Sequence, residues 1–426
     1  MGKPNRHRVL SVFEHSSLKL GDSCNGVCFE ESHLKALQRY YGEKGTPFFS
    51  LIHHGVKFCE YVGVINVGSL TIEVLPKADR SNDTELWRNV LIGMLKKVGT
   101  FNISATSQAH LRIKSNHLLD LYFELFLNEV EALLHKGLIK KYRRTESNIN
   151  SLKGTILFSK HLNANLVHQE RFYVRNTVYD LEHPLNQLLY KTILLIQKIN
   201  YNPALSSRIG SLLLGFPVLK DIAISYDWFN RLTYNRKTEC YRKATEIARL
   251  LLLNYHPDLA VGRNHVLALM FDMNLLWEKF VYMSLRKYLK ADQFRPQHSK
   301  PYWKLDGHRP VHLRPDIVIT HGEQTYVVDT KWKLLNNNRP SDDDLRQMYA
   351  YAKYWNAEET ILCYPGTNSK VAGHFFNEER EVIGKKCSVL FIGVNGAQKI
   401  NEWQLIICSK VNEAIFENIY KPDYEQ

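Results

Sequence analysis

The sequence predicts a multidomain protein of mixed α+β and α/β class, with a β-rich and helical N-terminal region followed by a C-terminal α/β domain. Three observations lead there. The chain has 426 residues, enough for two or three domains at about 150 residues each. Strand-like alternation dominates the first 80 residues, and helical spacing takes over after them. Past residue 260, short β-branched runs alternate with helical segments. The expected domains are residues 1–110, β-rich with a following helix; 111–260, mainly helical and basic; and 261–426, the α/β domain.

Phe58 to Val67 is a β-branched and aromatic run, and Leu70, Ile72 and Val74 alternate with Thr71 and Glu73. Gly68-Ser69 between them reads as a hairpin turn. Thr84 is placed to cap a helix whose Leu86, Trp87, Val90, Leu91, Met94, Leu95 and Val98 recur at helical spacing. A helix from about Leu118 to Leu134 is apolar on most faces, so it is expected between other elements, with Gly137 as its stop. Residues 140–182 read as strands and loops. Pro184 opens a helix to about Ile199, and another covers about Thr238 to Leu253 before His256-Pro257-Asp258 breaks it. Asn264 to Leu289 reads as one long helix. Strands are expected at Ile317–Ile319, Tyr326–Val328, Thr360–Tyr364, Val389–Val394 and Trp403–Ile407. Among them lies a helix capped by Ser341, with Asp342, Asp343 and Asp344 in its first turn.

Lys and Arg total 56 against 43 Asp and Glu, a net charge of +13 and a pI near 9.2. The first partner to expect is nucleic acid, ahead of an anionic membrane surface. The excess is uneven: residues 1–261 hold 34 basic and 23 acidic side chains, residues 262–426 hold 22 and 20. Lys140-Lys141-Tyr142-Arg143-Arg144 is a basic cluster with an aromatic inside, and Arg231, Arg236, Lys237, Arg242 and Lys243 form another around Tyr234 and Tyr241. Each is a solvated face in the plainer reading and a phosphate-binding or partner-docking surface in the sharper one.

Several classes fall away. Seven scattered cysteines make no disulfide framework, and Cys24-x-x-x-Cys28, near His15 and His33, lacks the C-x-x-C pair of structural zinc sites. No apolar run is long enough to span a bilayer, and no signal peptide is visible behind Met1. A cytoplasmic protein with no membrane partner is the expectation. The absence of a Gly-x-x-x-x-Gly-Lys-Ser/Thr loop argues that the chain alone binds no nucleotide.

The chemistry concentrates in Arg314-Pro315-Asp316-Ile317-Val318-Ile319, the turn His321-Gly322-Glu323, and Thr325-Tyr326-Val327-Val328-Asp329-Thr330-Lys331. Strand side chains alternate, so Asp329 and Lys331 share a face, and the hairpin brings Asp316 alongside Asp329. Two converging carboxylates make a hard-oxygen site suited to Mg²⁺. Lys331 beside a metal-bound water completes the equipment for phosphodiester hydrolysis. The plainer alternative is a pair of surface acids with a lysine partner, but both carboxylates adjoin β-branched runs, where unpaired charge is costly. The preceding helix carries Glu278 among Leu275, Leu276, Trp277, Phe280 and Val281; the following one carries Gln347 and Tyr351 at i and i+4. Glu278 has the plainer reading of a solvated residue paired with Lys279 or Arg286, and Tyr351 that of a packing residue.

This order of elements resembles the PD-(D/E)xK nuclease superfamily, with a Gln-x-x-x-Tyr helix as in its RecB-like branch. Phe271-Asp272-Met273-Asn274-Leu275-Leu276-Trp277-Glu278, Asp329-Thr330-Lys331-Trp332-Lys333 and Asp344-Leu345-Arg346-Gln347-Met348-Tyr349-Ala350-Tyr351 resemble the McrC family, the nuclease subunits of McrBC-type restriction systems. Gly63 to Gly68 and Ile72-Glu73-Val74-Leu75-Pro76-Lys77 are similar to that family too, with weaker echoes at Lys153-Gly154 and Asp180…Pro184-Leu185-Asn186. The resemblance implies a PD-(D/E)xK α/β domain over residues 261–426 that cuts double-stranded DNA with Mg²⁺, Mn²⁺ being an alternative. It also implies a hexameric AAA+ GTPase partner, McrB-like, that recognises the DNA and whose GTP hydrolysis this subunit stimulates. Carried over, Asp316 and Asp329 are metal ligands, Lys331 is the catalytic lysine, and Thr330 offers its backbone carbonyl. Glu278 holds a metal-bound water or a second ion, and Gln347 and Tyr351 support the site or touch phosphate. Lys140, Lys141, Arg143, Arg144, Arg236 and Lys237 then face DNA or the ring. The rival expectations are a stand-alone RecB-like repair or mobile-element nuclease and a non-catalytic DNA-binding adaptor.

Overall fold

The structure, a computed structural model, describes residues 8–24, 26–78, 83–98, 117–257, 265–367, 369–393 and 400–415. It divides into two compact units. One comprises residues 1–8, 66–70 and 102–269; the other comprises residues 9–65, 71–101 and 270–426.

The first unit is mainly helical. The Leu118–Lys136 helix is buried along most of its length, as its all-round apolar sequence requires, and Gly137 ends it at φ +88° with its N–H on Leu134 O. Pro184–Ile199, Pro203–Gly215 and Arg242–Leu253 pack around it. Pro184 and Pro203 sit in first turns, where a missing N–H costs nothing. A three-stranded antiparallel sheet runs in the order Thr155–Ile156, Phe172–Asp180, Lys141–Ile149. A short helix that strand-like patterning concealed, Phe158–Asn165, lies against it.

The second unit holds a six-stranded sheet in the order Gln293–Pro296, Ile317–His321, Gln324–Thr330, Glu359–Pro365, Val382–Ile392, Val371–Phe376. The middle strands Gln324–Thr330, Glu359–Pro365 and Val382–Ile392 are parallel neighbours; the outer pairs are antiparallel. Alternate residues face opposite ways. Val318, Val327, Leu362, Tyr364, Val389 and Phe391 pack on Met348 and Tyr351 of the Asp342–Tyr354 helix and on Trp355, which caps its end. The helices Met273–Tyr288 and Ile400–Ile415 pack together against the sheet, with Thr84–Val98 beside them. A Cβ on Gly93 would lie 2.8 Å from the Ile400 side chain, so this crossing needs a glycine. The hairpin Tyr61–Val67/Leu70–Leu75 forms as expected, turning at Gly68 with φ +57°.

Three local expectations are corrected. Residues 266–289 are not one helix: Val266–Asp272 is a strand, and the helix starts at Met273, where the Asp272 carboxylate accepts from the N–H groups of Asn274 and Leu275 at 2.8 and 3.2 Å. The run Val266-Leu267-Ala268-Leu269 is buried throughout, and such a run carries no period to separate strand from helix. Trp403–Ile407 is helical, within Ile400–Ile415, and Trp403, Ile407, Cys408, Val411 and Ile415 make its buried stripe. Five residues were too short a window to show that period. Asp83, rather than Thr84, caps the Thr84–Val98 helix, accepting from Glu85 and Leu86 N–H at 3.0 Å each. Among the described residues no helix is long and apolar enough to cross a membrane.

Candidate active site

The site begins in the hairpin of Ile317–His321 and Gln324–Thr330. Its register pairs Ile317 with Val328 and His321 with Gln324, leaving Gly322-Glu323 as the turn, with Gly322 at φ +58°. The same register sets Asp316 beside Asp329 and Thr330 at the open end. Thr330 locks that junction twice, since its N–H and its hydroxyl both donate to Asp316 Oδ2 at 2.7 Å. The sequence reading considered only the backbone carbonyl of Thr330.

Asp329 and Lys331 follow Val327 on the face turned to the Asp342–Tyr354 helix. Lys331 N–H continues the parallel ladder to Cys363 O at 3.0 Å. Its Nζ lies 2.7 Å from Asp329 Oδ2 and donates to Gln347 Oε1 at 3.0 Å. Gln347 Nε2 donates to the Tyr351 hydroxyl at 2.7 Å, which donates to the Arg314 carbonyl at 3.0 Å. The lysine is thereby tied, through one face of the helix, to backbone two residues before Asp316. On the same helix Asp344 accepts from Tyr364 at 2.8 Å and pairs with Lys333 at 2.6 Å. Sequence patterning missed this anchor.

The electrostatics follow from burial. Asp329 is 1 % exposed. Desolvation, and then the negative Asp316, push its carboxyl up to about 7, against the pull of Lys331. Burial also raises Asp316, opposed by the two Thr330 hydrogen bonds. Burial alone would lower Lys331, but Asp329 outweighs it and holds the ammonium charged. Glu278, on the Met273–Tyr288 helix, is raised by burial and then by Asp316, and it accepts from Gln297 Nε2 at 2.9 Å. Burial raises the Tyr351 hydroxyl, keeping it a donor.

A buried and a half-buried carboxylate that resist ionising together fit a divalent cation, which removes the repulsion and the desolvation penalty at once. Among the described residues no three His, Cys, Asp or Glu side chains gather as a metal cluster. Mg²⁺ does not need three, because it takes one or two carboxylates and keeps several waters.

Behind this face lies an unanticipated support. Trp332 follows Lys331 and points into an aromatic cluster, with ring centroids 5.3 Å from Trp277 and 6.3 Å from Trp87; Trp277 stands 5.5 Å from Trp403. Its indole N–H donates to Glu14 Oε1 at 2.7 Å, which also accepts from Lys77 N–H at 2.8 Å. Glu14 is 318 residues away in sequence, so no local pattern could reveal it.

The basic clusters lie in the first unit. Lys140, Lys141 and Arg144 are exposed at the start of the Lys141–Ile149 strand, and Arg143 pairs with Asp180 at 2.8 Å. The Tyr142 and Tyr179 rings lie tilted with centroids 4.5 Å apart, and Lys140 sits over the Tyr179 ring. Arg236 and Lys237 are exposed in a turn that leads to Tyr241. The Tyr241 hydroxyl accepts from Ile139 N–H and donates to Asn186 Oδ1, both at 2.9 Å, which ties the two basic segments to one buried polar junction.

A sequence profile of the family described as "McrBC 5-methylcytosine restriction system component" matches residues 56–365. The chain belongs to this family. Among solved structures, it is similar to the half-complex from the tetradecameric assembly of Thermococcus gammatolerans McrB AAA+ hexamers with bound McrC. The identity is 19 %, the coverage 96 % of this chain and 100 % of that one, and the TM-score 0.72, so the fold is shared. A match to the cryo-EM structure of the Thermococcus gammatolerans McrBC complex has 19 % identity, covers 67 % of this chain and 89 % of that one, and has a TM-score of 0.49. No curated protein matches the chain.

Proposed function

We propose that this chain is the endonuclease subunit of a McrBC-type restriction system, hydrolysing phosphodiester bonds of double-stranded DNA with Mg²⁺. The observation that carries the reading is the Lys331 ammonium 2.7 Å from Asp329, beside an Asp316 locked by Thr330. A bound Mg²⁺ supplies charge for the phosphate and acidifies a water. Asp316 and Asp329 would hold it, with the Thr330 carbonyl as a further oxygen. Lys331 orients the attacking water and offsets charge growing on the phosphate. Gln347 and Tyr351 hold the lysine in place. Glu278, with its raised pKa, is suited to take up a proton or to hold a water. Residues 261–426 would form the PD-(D/E)xK domain, with residues 1–110 and 111–260 preceding it.

The Thermococcus McrC is bound to McrB AAA+ hexamers. Family membership supports the same kind of partner here, with GTP hydrolysis stimulated by docking. Lys140, Lys141, Arg143, Arg144, Arg236 and Lys237 form the surface offered to the ring or its DNA.

The test is to purify the chain with its neighbouring AAA+ protein and assay methylated and unmethylated duplexes with Mg²⁺ and GTP or ATP. Cleavage should need both proteins, Mg²⁺ and nucleotide. Strong site-specific cutting by the chain alone would sink the two-subunit reading, and no cutting under any condition would sink the nuclease reading. Within that assay Gln347→Ala should lower the cleavage rate by about 10- to 100-fold, since it frees Lys331 from its hydrogen bond to the helix face described above. A rate within twofold of the parent would remove Gln347 from the positioning of Lys331.

A further inference from the structure

Between the edge strand Gln293–Pro296 and the Ile317–Thr330 hairpin lies a segment that the proposed chemistry leaves unused. Its strands Lys300–Trp303 and Val311–Leu313 form a separate two-stranded hairpin, with Lys300 opposite Leu313 and Trp303 opposite Val311. The base is fastened beside Asp316. Gln297 turns the chain out of the sheet at φ +49°, a conformation that a non-glycine residue keeps only where its surroundings hold it. Its N–H donates to Asp316 O and its side-chain amide to Glu278, each at 2.9 Å. His298 accepts from Trp355 Nε1 at 3.0 Å, Lys300 Nζ donates to Tyr354 O at 2.7 Å, and Leu313 packs on the core around Met348, Tyr351 and Trp355.

The outer part is the reverse. Residues 301–309 are all exposed, including Tyr302, Trp303 (55 %) and Leu305. Residues 297–314 carry Lys300, Lys304, Arg309 and Arg314 against one acid, Asp306, in a region that is otherwise close to neutral. No hydrogen bond or ion pair engages the Lys304 or Arg309 side chain among the described residues. A rigid base, a solvated tryptophan and uncommitted cations suit a polyanion whose surface alternates phosphates with sugars and bases.

We propose that this hairpin is a second DNA contact of the site: Lys304 and Arg309 take phosphates flanking the scissile bond, and Trp303 lies against sugars and base edges in the adjoining groove. The inference rests on the nuclease reading for why DNA is held there. Val311 lies five residues before Asp316, at most roughly 17 Å of extended chain, and its partner Trp303 stands about 5 Å further across the strand pair, so at most roughly 22 Å separates Trp303 from Asp316. That is about six base pairs along a duplex rising about 3.4 Å per step.

The full chain carrying Asp329→Asn, which keeps the duplex uncut, is titrated onto a fluorescent 30-base-pair duplex and followed by anisotropy over a salt series. The double change Lys304→Glu with Arg309→Glu should weaken binding about tenfold or more at 0.15 M salt and reduce the log–log salt slope by about 1.8, the value for two lost phosphate contacts. Trp303→Ala should weaken binding several-fold and leave the slope unchanged. Melting temperatures matched to the parent exclude unfolding as the cause. Unchanged affinity and slope in both variants overturn the proposal, as does a parent chain that binds no DNA with or without its AAA+ partner. Normal DNA binding with lost AAA+ binding also overturns it, making the hairpin a protein-docking element. If hairpin-dependent binding persists but the unsubstituted chain never cuts, the nuclease reading fails and this surface stands. Normal cutting with hairpin-independent binding gives the opposite result.

Discussion

Asp329→Ala is expected to abolish DNA cleavage, by at least about 10³-fold, while leaving AAA+ binding and stimulation of its GTPase intact. The magnitude follows from losing the proposed metal ligand and the partner of Lys331 together, several kcal/mol at about 1.4 kcal/mol per tenfold. The fold should not suffer. A carboxyl whose pKa rises from 3.8 in the unfolded chain to about 7 in the folded one contributes stability below 3.8 and loses it as the pH climbs through 7. At pH 8 without divalent cations, the charged Asp329 opposes folding, so Asp329→Asn should melt no lower than the parent. A large drop in melting temperature alongside lost cleavage would place Asp329 in the architecture instead of the chemistry. Retained cutting would remove it from the site.

Glu14→Gln is expected to flatten the pH dependence of stability between about pH 4.5 and 7. Burial pushes the Glu14 carboxyl up to about 7 from 4.5, opposed by the hydrogen bonds from Lys77 N–H and Trp332. The protonated acid therefore favours the folded state, and that contribution disappears as the pH rises through 7. A shift of this size corresponds to at most about 3 kcal/mol. Glutamine keeps the oxygen that both donors use and carries no charge to bury. Denaturant melts of parent and variant at pH 5, 6, 7 and 8 should lie closest at pH 5, draw apart as the pH rises to 7 and keep that gap at 8, with the variant more stable. Parallel curves would show that Glu14 is already ionised in the fold.

Much of the candidate site was legible because its chemistry is written locally. The Ile317–Thr330 hairpin shows in two β-branched runs around a glycine turn, and strand alternation places Asp329 and Lys331 on one face without any coordinates. Ser341 marks its helix by capping, accepting from Asp344 N–H, and i,i+4 spacing aligns Gln347 with Tyr351. What escaped is what sequence separation hides. The Thr330 double donation depends on register across the hairpin, and the Glu14–Trp332 bond depends on pairing between distant segments. The strand Val266–Asp272 and the helix Ile400–Ile415 were exchanged for their opposites because a short apolar run shows too little period to tell them apart. The hairpin at 300–313 was invisible, since its strands are only four and three residues long and Pro301 sits in the first.

The bond between Glu14 and Trp332 also sets a clock on biosynthesis. A ribosome adding about 5–20 residues per second makes the acceptor roughly 15–60 s before the donor exists. Until then a carboxylate destined for the interior stays in solvent, and the aromatic cluster behind Lys331 lacks Trp332, with Trp403 still to follow. The nascent chain thus spends most of its synthesis with this aromatic bed incomplete. The face that carries Asp329 and Lys331 gains this backing only in the last quarter of translation, so a product stalled before Trp332 would carry the basic clusters of the first unit without it.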